Sequence, residues 1–232
     1  MSTRTHTERQ VSDVTVARSY EQWCPIAVGL DVLGDRWTLL ILRELLLDDQ
    51  RFTDLRRALP GLAPNLLSER LRSLAEMGLV TTVELAPPAA RSVYRLTDEG
   101  RATAPVLRAL ARFGARHLAG SPGPAMDARR AASALLVPWY RPADRPAGAP
   151  PLRARLVVTS GAREDASAVD LVLTRPIELE RVDPTGDATD VDVVLTTTVE
   201  ELAAARRAGH PLDTEPKGAS RAVARFRDAF SI

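Results

Sequence analysis

The sequence predicts a multidomain α+β protein: a mostly α N-terminal domain carrying a β-hairpin, then a C-terminal α+β domain of sheet and helices. Three observations predict it. Apolar residues recur at helical spacing from 24 to 119. A Gly-Ser-Pro-Gly-Pro run at 120–124 ends any preceding helix. After an irregular stretch at 138–151, apolar and polar residues alternate as in strands to 197. The division expected is a flexible arm at 1–19, a first domain at 20–120 and a second at 125–232.

Taken in order, Pro25 suits the first position of a helix to Leu33, Gly34 stops it, and Asp35 caps a second helix through Leu47. Trp37, Leu40, Ile41, Glu44 and Leu45 fall on related turns and give a broad apolar face, with Trp37 in the core. A short helix over Thr53–Leu59 turns Leu55, Ala58 and Leu59 inward. Pro60-Gly61-Leu62-Ala63 makes a tight turn, and Pro64 opens a helix to Met77. Its Leu67, Leu71 and Leu74 stand at i, i+4 and i+7, so that face is buried and Asn65, Ser68, Glu69, Arg70, Arg72 and Ser73 are left outside. Leu79–Leu85 and Ser92–Leu96 read as strands joined by Ala-Pro-Pro-Ala-Ala-Arg, a hairpin with a protruding tip. Thr97 then caps a long helix with Asp98 and Glu99 in its first turn, where the dipole favours anions. Leu107, Leu110, Ala111, Gly114 and Leu118 run along it, and Pro105 kinks it or delays its start.

Helix, short helix, tight turn, helix and hairpin are the order of a winged helix-turn-helix, whose second helix enters the DNA major groove while the hairpin forms the wing. The charge agrees once it is localised. The whole chain, with 31 basic and 30 acidic residues, is nearly neutral and gives no overall reason to expect nucleic acid. From Arg51 to Arg95, however, seven Arg face four acids. On the outer face of the helix from Pro64, Asn65 has the donor and acceptor that adenine needs. Ser68 and Glu69 suit smaller base contacts, and Arg70 suits guanine. Arg72, Arg56 and Arg57 are placed for phosphate, and Arg91 at the wing tip for the minor groove or backbone.

The residues that carry the spacing also resemble a family. Cys24-Pro25-Ile26, Gly34-Asp35-Arg36-Trp37-Thr38-Leu39-Leu40, Arg51-Phe52-Thr53-Asp54-Leu55, Pro60-Gly61-Leu62, Leu67-Ser68-Glu69-Arg70-Leu71 and Tyr94-Arg95-Leu96-Thr97-Asp98-Glu99-Gly100 resemble the HxlR family of bacterial transcription regulators over roughly residues 20–118. The resemblance implies a homodimer formed through helices at the two ends of this domain and bound to a pseudo-palindromic operator. It also makes the helix from Pro64 the recognition helix and puts Arg91 on the wing. Ala63 departs from the family's Ser-like cap, and Phe113 stands where Trp is frequent. Cys24 matches a position that senses oxidants or electrophiles in some members. Its other reading is a small buried hydrophobe, and as the only cysteine it has no partner within the chain.

In the second domain, Leu152, Ala154, Leu156 and Val158 alternate with Arg153 and Arg155, and Val169, Leu171 and Leu173 with Asp170. Ile177 and Leu179 alternate with Glu178 and Glu180, and Val191, Val193 and Leu195 with Asp190 and Asp192. These are half-buried strands. Thr198-Val199-Glu200-Glu201 is a capping box opening a helix to about Ala208, and a last helix near Ser220–Phe230 carries Val223, Phe226 and Phe230. Asp192-Val193-Val194-Leu195-Thr196, Ala208-Gly209-His210-Pro211-Leu212-Asp213 and Ala222-Val223-Ala224-Arg225-Phe226 resemble the C-terminal half of sterol-carrier-protein-2-like domains. That implies a hydrophobic small-molecule ligand in an apolar tunnel. The same apolar residues also fit an ordinary core in a module that only supports a dimer.

The scattered His6, His117 and His210 and the lone cysteine give no metal-ligand spacing, and no nucleophile elbow or phosphate-binding glycine loop is present. No enzyme activity, metal or cofactor is therefore expected. The polar N-terminus resembles no signal peptide, and no run reaches the ~18 apolar residues of a membrane span, so a cytoplasmic protein without a membrane partner is expected. The expected function is a DNA-binding transcriptional repressor, homodimeric, with an effector or dimer-support domain. The alternative is a ligand-binding carrier whose helix-turn-helix serves dimerisation.

Overall fold

In the computed structural model, which describes residues 19–85, 91–120, 126–140, 150–159, 166–173, 178–182, 189–209 and 212–230, the chain begins with α1 (Pro25–Leu33). Ser19 Oγ and the Tyr20 N–H both donate to the Asp31 carboxylate on that helix (3.0 and 2.9 Å). Then come α2 (Thr38–Leu47), α3 (Phe52–Ala58), α4 (Pro64–Glu76), β1 (Val80–Leu85), β2 (Arg91–Leu96) and α5 (Asp98–Ala102). The leucine periodicity of α4 does what its spacing dictates: Leu67, Leu71 and Leu74 are buried with Ile41, Leu42 and Leu55. Asp54 closes the start of α3 by accepting from the Arg51 N–H (3.3 Å). The strands β1 and β2 pair antiparallel from Val80↔Leu96 to Leu85↔Arg91; the hairpin tip at 86–90 lies outside the described residues.

Two local expectations change in this unit. Helix α2 begins at Thr38, and Asp35 does not act as its cap, because its carboxylate is committed to Arg70. Trp37 is half-buried, has a left-handed backbone (φ 79°) and carries the Arg36 guanidinium over its ring (5.5 Å to the centroid). This left-handed residue lies in the turn between α1 and α2, where its ring stays partly open to solvent. Glu44 is 3% exposed, inside the apolar face, and survives there by accepting from Arg43 Nε (2.9 Å).

The long helix expected from Thr97 is two helices. Thr97 Oγ1 accepts from the Gly100 N–H (3.1 Å) to start α5, and α6 (Ala104–Ala115) restarts after Thr103 with Pro105 in its first turn. The chain divides into two compact units near this break: Met1–Leu45 with Asp49–Arg101, and Leu46–Asp48 with Ala102–Ile232. The boundary therefore lies about twenty residues before the Gly-Pro seam at 120–124. The reason is visible at Arg112, which donates from α6 to Pro138 O (3.1 Å) inside the second unit.

A helical segment that the sequence reading did not assign follows: α7 (Ala128–Ala131), capped by Asp127 accepting from the Arg130 N–H (2.8 Å), runs on through a π turn (Ala132–Leu136) and a 3-10 turn (Val137–Trp139). Strands β3 (Leu152–Thr159), β4 (Ala166–Leu173), β5 (Glu178–Val182), β6 (Val193–Thr197) and the two-residue β7 (Lys217–Gly218) form one sheet in the order β5-β4-β3-β6-β7. The β3–β6 pair is parallel and the other pairs are antiparallel. Helices α8 (Val199–Ala208) and α9 (Ser220–Phe230) complete the unit. Leu156, Val169 and Leu195 share a register row on the face that packs with Leu136, Phe226 and Phe230. Thr198 accepts from the Glu201 N–H (3.1 Å), but the Glu201 carboxylate turns to Thr197 Oγ1 (2.6 Å) and the Thr214 N–H (2.9 Å), so the box is half closed. The alternation also puts Arg155 and Asp170 on the face away from that core. They are nevertheless buried, with Arg155 Nε and Nη2 donating to the Asp170 carboxylate at 2.8 and 3.0 Å. Direct opposition in register makes this possible, since each charge neutralises the other. Ile177 and His210 lie outside the described residues.

Candidate nucleic-acid interface

Helix α4 presents two faces of opposite character, because a 13-residue helix with leucines at three- and four-residue spacing can bury only one side. Asn65, Ser68 and Arg72 are exposed on the other side and make no side-chain bond among the described residues. Ala63 supplies no side-chain cap, and Pro64 at the first position has no N–H to satisfy. The Asn65 and Leu66 N–H groups thus begin the helix without a side-chain acceptor, at the positive end of its dipole. A phosphate or base edge approaching this end meets donors already in place.

Two of the predicted readers are engaged elsewhere. Arg70 is only 17% exposed, and its Nη1 lies 2.9 Å from Asp35 Oδ2 and 3.1 Å from Glu69 Oε1. Its Nε is buried without a partner among the described residues. Arg70 therefore holds the middle of α4 to the turn before α2, and a guanine contact would require breaking that pair. Glu69 is exposed, with its carboxylate turned to Arg70. On α3, Arg56 is exposed, whereas Arg57, 75% exposed, stands 3.8 Å from Asp54. Backbone places Arg91 at the start of β2, and its side chain lies outside the described residues.

Sequence reasoning missed the residues that position the wing. Arg95 Nε donates to Asp49 Oδ2 at 2.9 Å and Nη2 to the same oxygen at 2.5 Å. That hydrogen bond, with the Asp49 charge, raises the arginine pKa further. Beside it, Gln50 and Tyr94 exchange both backbone bonds (3.1 and 2.7 Å). A short ladder therefore ties the loop ahead of α3 to β2, fixing the hairpin relative to the helix pair. A separation of 46 residues leaves no local pattern from which Asp49–Arg95 could be read, and Asp35–Arg70 is equally silent.

Cys24 sits immediately before α1. The N–H groups of Ala27, and secondly Ile26, lower its thiol pKa against a smaller opposing effect of burial.

A helix pair with an outward polar recognition helix and a braced hairpin defines a winged helix-turn-helix unit of the DNA-binding regulator class. The sequence matches the profile described as HxlR-like helix-turn-helix over residues 32–121. It is 38% identical over 93 residues to the HTH-type transcriptional regulator YvaP of Bacillus subtilis, covering 40% of this chain and 86% of that one. It is 40% identical over 101 residues to the HTH-type regulator Rv3095 of Mycobacterium tuberculosis, covering 44% of this chain and 63%, just under two thirds, of that one. The crystal structure of the transcription factor PA1607 is similar over 44% of this chain and 71% of its own, at 39% identity and a TM-score of 0.39. The chain belongs to the HxlR-like helix-turn-helix family of transcriptional regulators. No helix among the described residues is long and apolar enough to cross a membrane, and no group of three or more His, Cys, Asp and Glu among them is arranged to hold a metal.

Proposed function

We propose that this regulator binds a pseudo-palindromic operator as a homodimer and represses transcription, with its C-terminal unit holding a hydrophobic effector. The observation that carries the DNA reading is the unengaged polar face of α4 around Asn65, Ser68 and Arg72. A gel shift and footprint on the DNA upstream of its own gene test it. The expected result is a protected two-fold site with half-sites about one helical turn apart, bound less tightly as salt rises. Binding without protection of any symmetric site, or with no dependence on salt, would count against it.

The homodimer rests on two apolar helix faces left to solvent. On α1, Ile26 is 74% exposed and Leu30 follows one turn later; on α6, Val106, Leu110 and Phe113 stand at i, i+4 and i+7, with Phe113 55% exposed. Single apolar side chains on a surface are ordinary, but a full stripe on a helix calls for a partner. Charging both stripes (Ile26→Asp with Leu110→Asp) should give a folded monomer by sedimentation velocity and an operator affinity at least a hundredfold lower. A variant that remains dimeric would place the interface elsewhere.

The C-terminal sheet, with helices α7 to α9, supports the sterol-carrier-protein-2-like reading by its α+β layout and by the resemblance of 192–226. A second reading concerns Cys24, at the start of α1 with a thiolate-favouring environment. We infer that it is a thiol sensor, in which thiolate adds to an electrophile such as a quinone and the adduct disturbs the α1 stripe beside it. Its alkylation by iodoacetamide should outpace that of an unstructured cysteine peptide at neutral pH. Equal rates would reduce Cys24 to a packing residue.

A further inference from the structure

Arg206, in the last turn of α8, is 6% exposed. Its Nε donates to Leu135 O (2.7 Å), its Nη1 donates to Phe230 O (3.4 Å), and the guanidinium carbon lies 4.6 Å from the centre of the Trp139 ring. Two helical ends are thereby capped by one cation. Among the described residues, however, Nη2 is buried without a partner, and no carboxylate pairs with this arginine. A second cation is close. Arg112 of α6 donates its Nε to the carbonyl of Pro138, the residue preceding Trp139. Burial first, and the Arg112 charge second, pull the Arg206 pKa down to about 10.

A buried guanidinium satisfied only by neutral carbonyls is costly, and a like charge beside it raises the cost. The same helix packing could have been made by an apolar side chain at position 206. An oxyanion would use the idle Nη2, separate the two positive charges and supply the missing counter-ion. Carboxylate matches the planar fork of arginine, and Trp139, Tyr140 and Phe230 supply an aromatic surround.

We propose that Arg206 and Arg112 form an oxyanion site in the second unit, taking the carboxylate of a small apolar acid whose hydrocarbon body lies among the neighbouring aromatic and aliphatic side chains. This rests on the reading of that unit as a ligand-holding module and specifies the polar end of the ligand. The test is isothermal titration calorimetry of the full chain with sodium octanoate, 1-octanol and sodium phosphate, against a sodium chloride blank. The expected result is octanoate bound at least tenfold more tightly than octanol. Arg112→Gln, folded by its melting curve, removes that preference, and Arg206→Met removes it as well if it folds. Phosphate binding that Arg112→Gln weakens would support the same site, with a free anion as its source. Octanoate and octanol bound equally would overturn the oxyanion site while leaving a hydrophobic ligand in place. No binding of any probe would overturn both. A preference for octanoate that persists in both variants would overturn the assignment to these two arginines.

Discussion

Replacing Gly100 by alanine should destabilise the winged helix-turn-helix unit by about 3 kcal/mol, the upper end of what one added methyl costs in a packed site. A Cβ at this position would stand 2.0 Å from Leu79 O, 3.1 Å from the Leu79 carbonyl carbon and 3.0 Å from a Leu96 methyl. The first two are backbone atoms at the junction of α4 and β1, and they cannot rotate away. They are also held. Leu79 O accepts from the Thr97 N–H (3.1 Å), and Thr97 Oγ1 donates to Gly78 O (2.6 Å) while accepting from the Gly100 N–H. To admit a methyl, α5 must back away from this joint and break those bonds. For a unit of this size that amounts to a fall of roughly 12–24 °C in melting temperature. Gly29→Ala is the control: its Cβ would meet nothing within 4 Å inside α1, so alanine should be neutral or stabilise by up to about 1 kcal/mol. Denaturant unfolding of the two variants decides the matter. A loss below 1 kcal/mol for Gly100→Ala would show that the joint yields.

The distinction between these two glycines shows where sequence reading stops. Helix α4 was legible because three leucines on one stripe and two prolines around a tight turn encode burial and helix start locally. The strands β3, β4 and β6 were legible for the same reason, at period two. Gly100 carries no local sign of its role, since its need for close approach depends on a carbonyl 21 residues earlier. The break at Thr103 was half legible: Pro105 announces an interruption, but not that α6 then joins the second unit. Arg155 and Asp170 read as solvated alternation, because nothing in either strand states that the other lies directly across from it. On α4 the outer face was legible, but the ion pair of Arg70 was not, because its partner Asp35 precedes it by 35 residues.

That ion pair separates the outer residues of α4 into two experimental classes. Asn65→Ala should lower operator affinity by about 5- to 150-fold, corresponding to about 1–3 kcal/mol for a lost base contact, and should relax preference at one position of each half-site. Arg72→Ala should weaken operator and random DNA alike and lower the slope of log affinity against log salt by about one per subunit, since each lost phosphate contact leaves one fewer counterion to release. Neither change should move the melting temperature, because neither side chain bonds within the described fold. Arg70→Ala belongs to the other class. It removes the link between α4 and the Asp35 turn and should lower both stability and operator affinity while leaving the salt slope unchanged. Asp35→Ala should reproduce this, and the double variant should be little worse than either single one, with a coupling of about 0.5–1 kcal/mol for a pair whose carboxylate is 51% exposed. Competition gel shifts over a salt series, read beside the melting curves, distinguish the classes. If Arg70→Ala reduced the salt slope by about one per subunit at an unchanged melting temperature, the arginine would be reading phosphate and α4 would be held by its leucines alone.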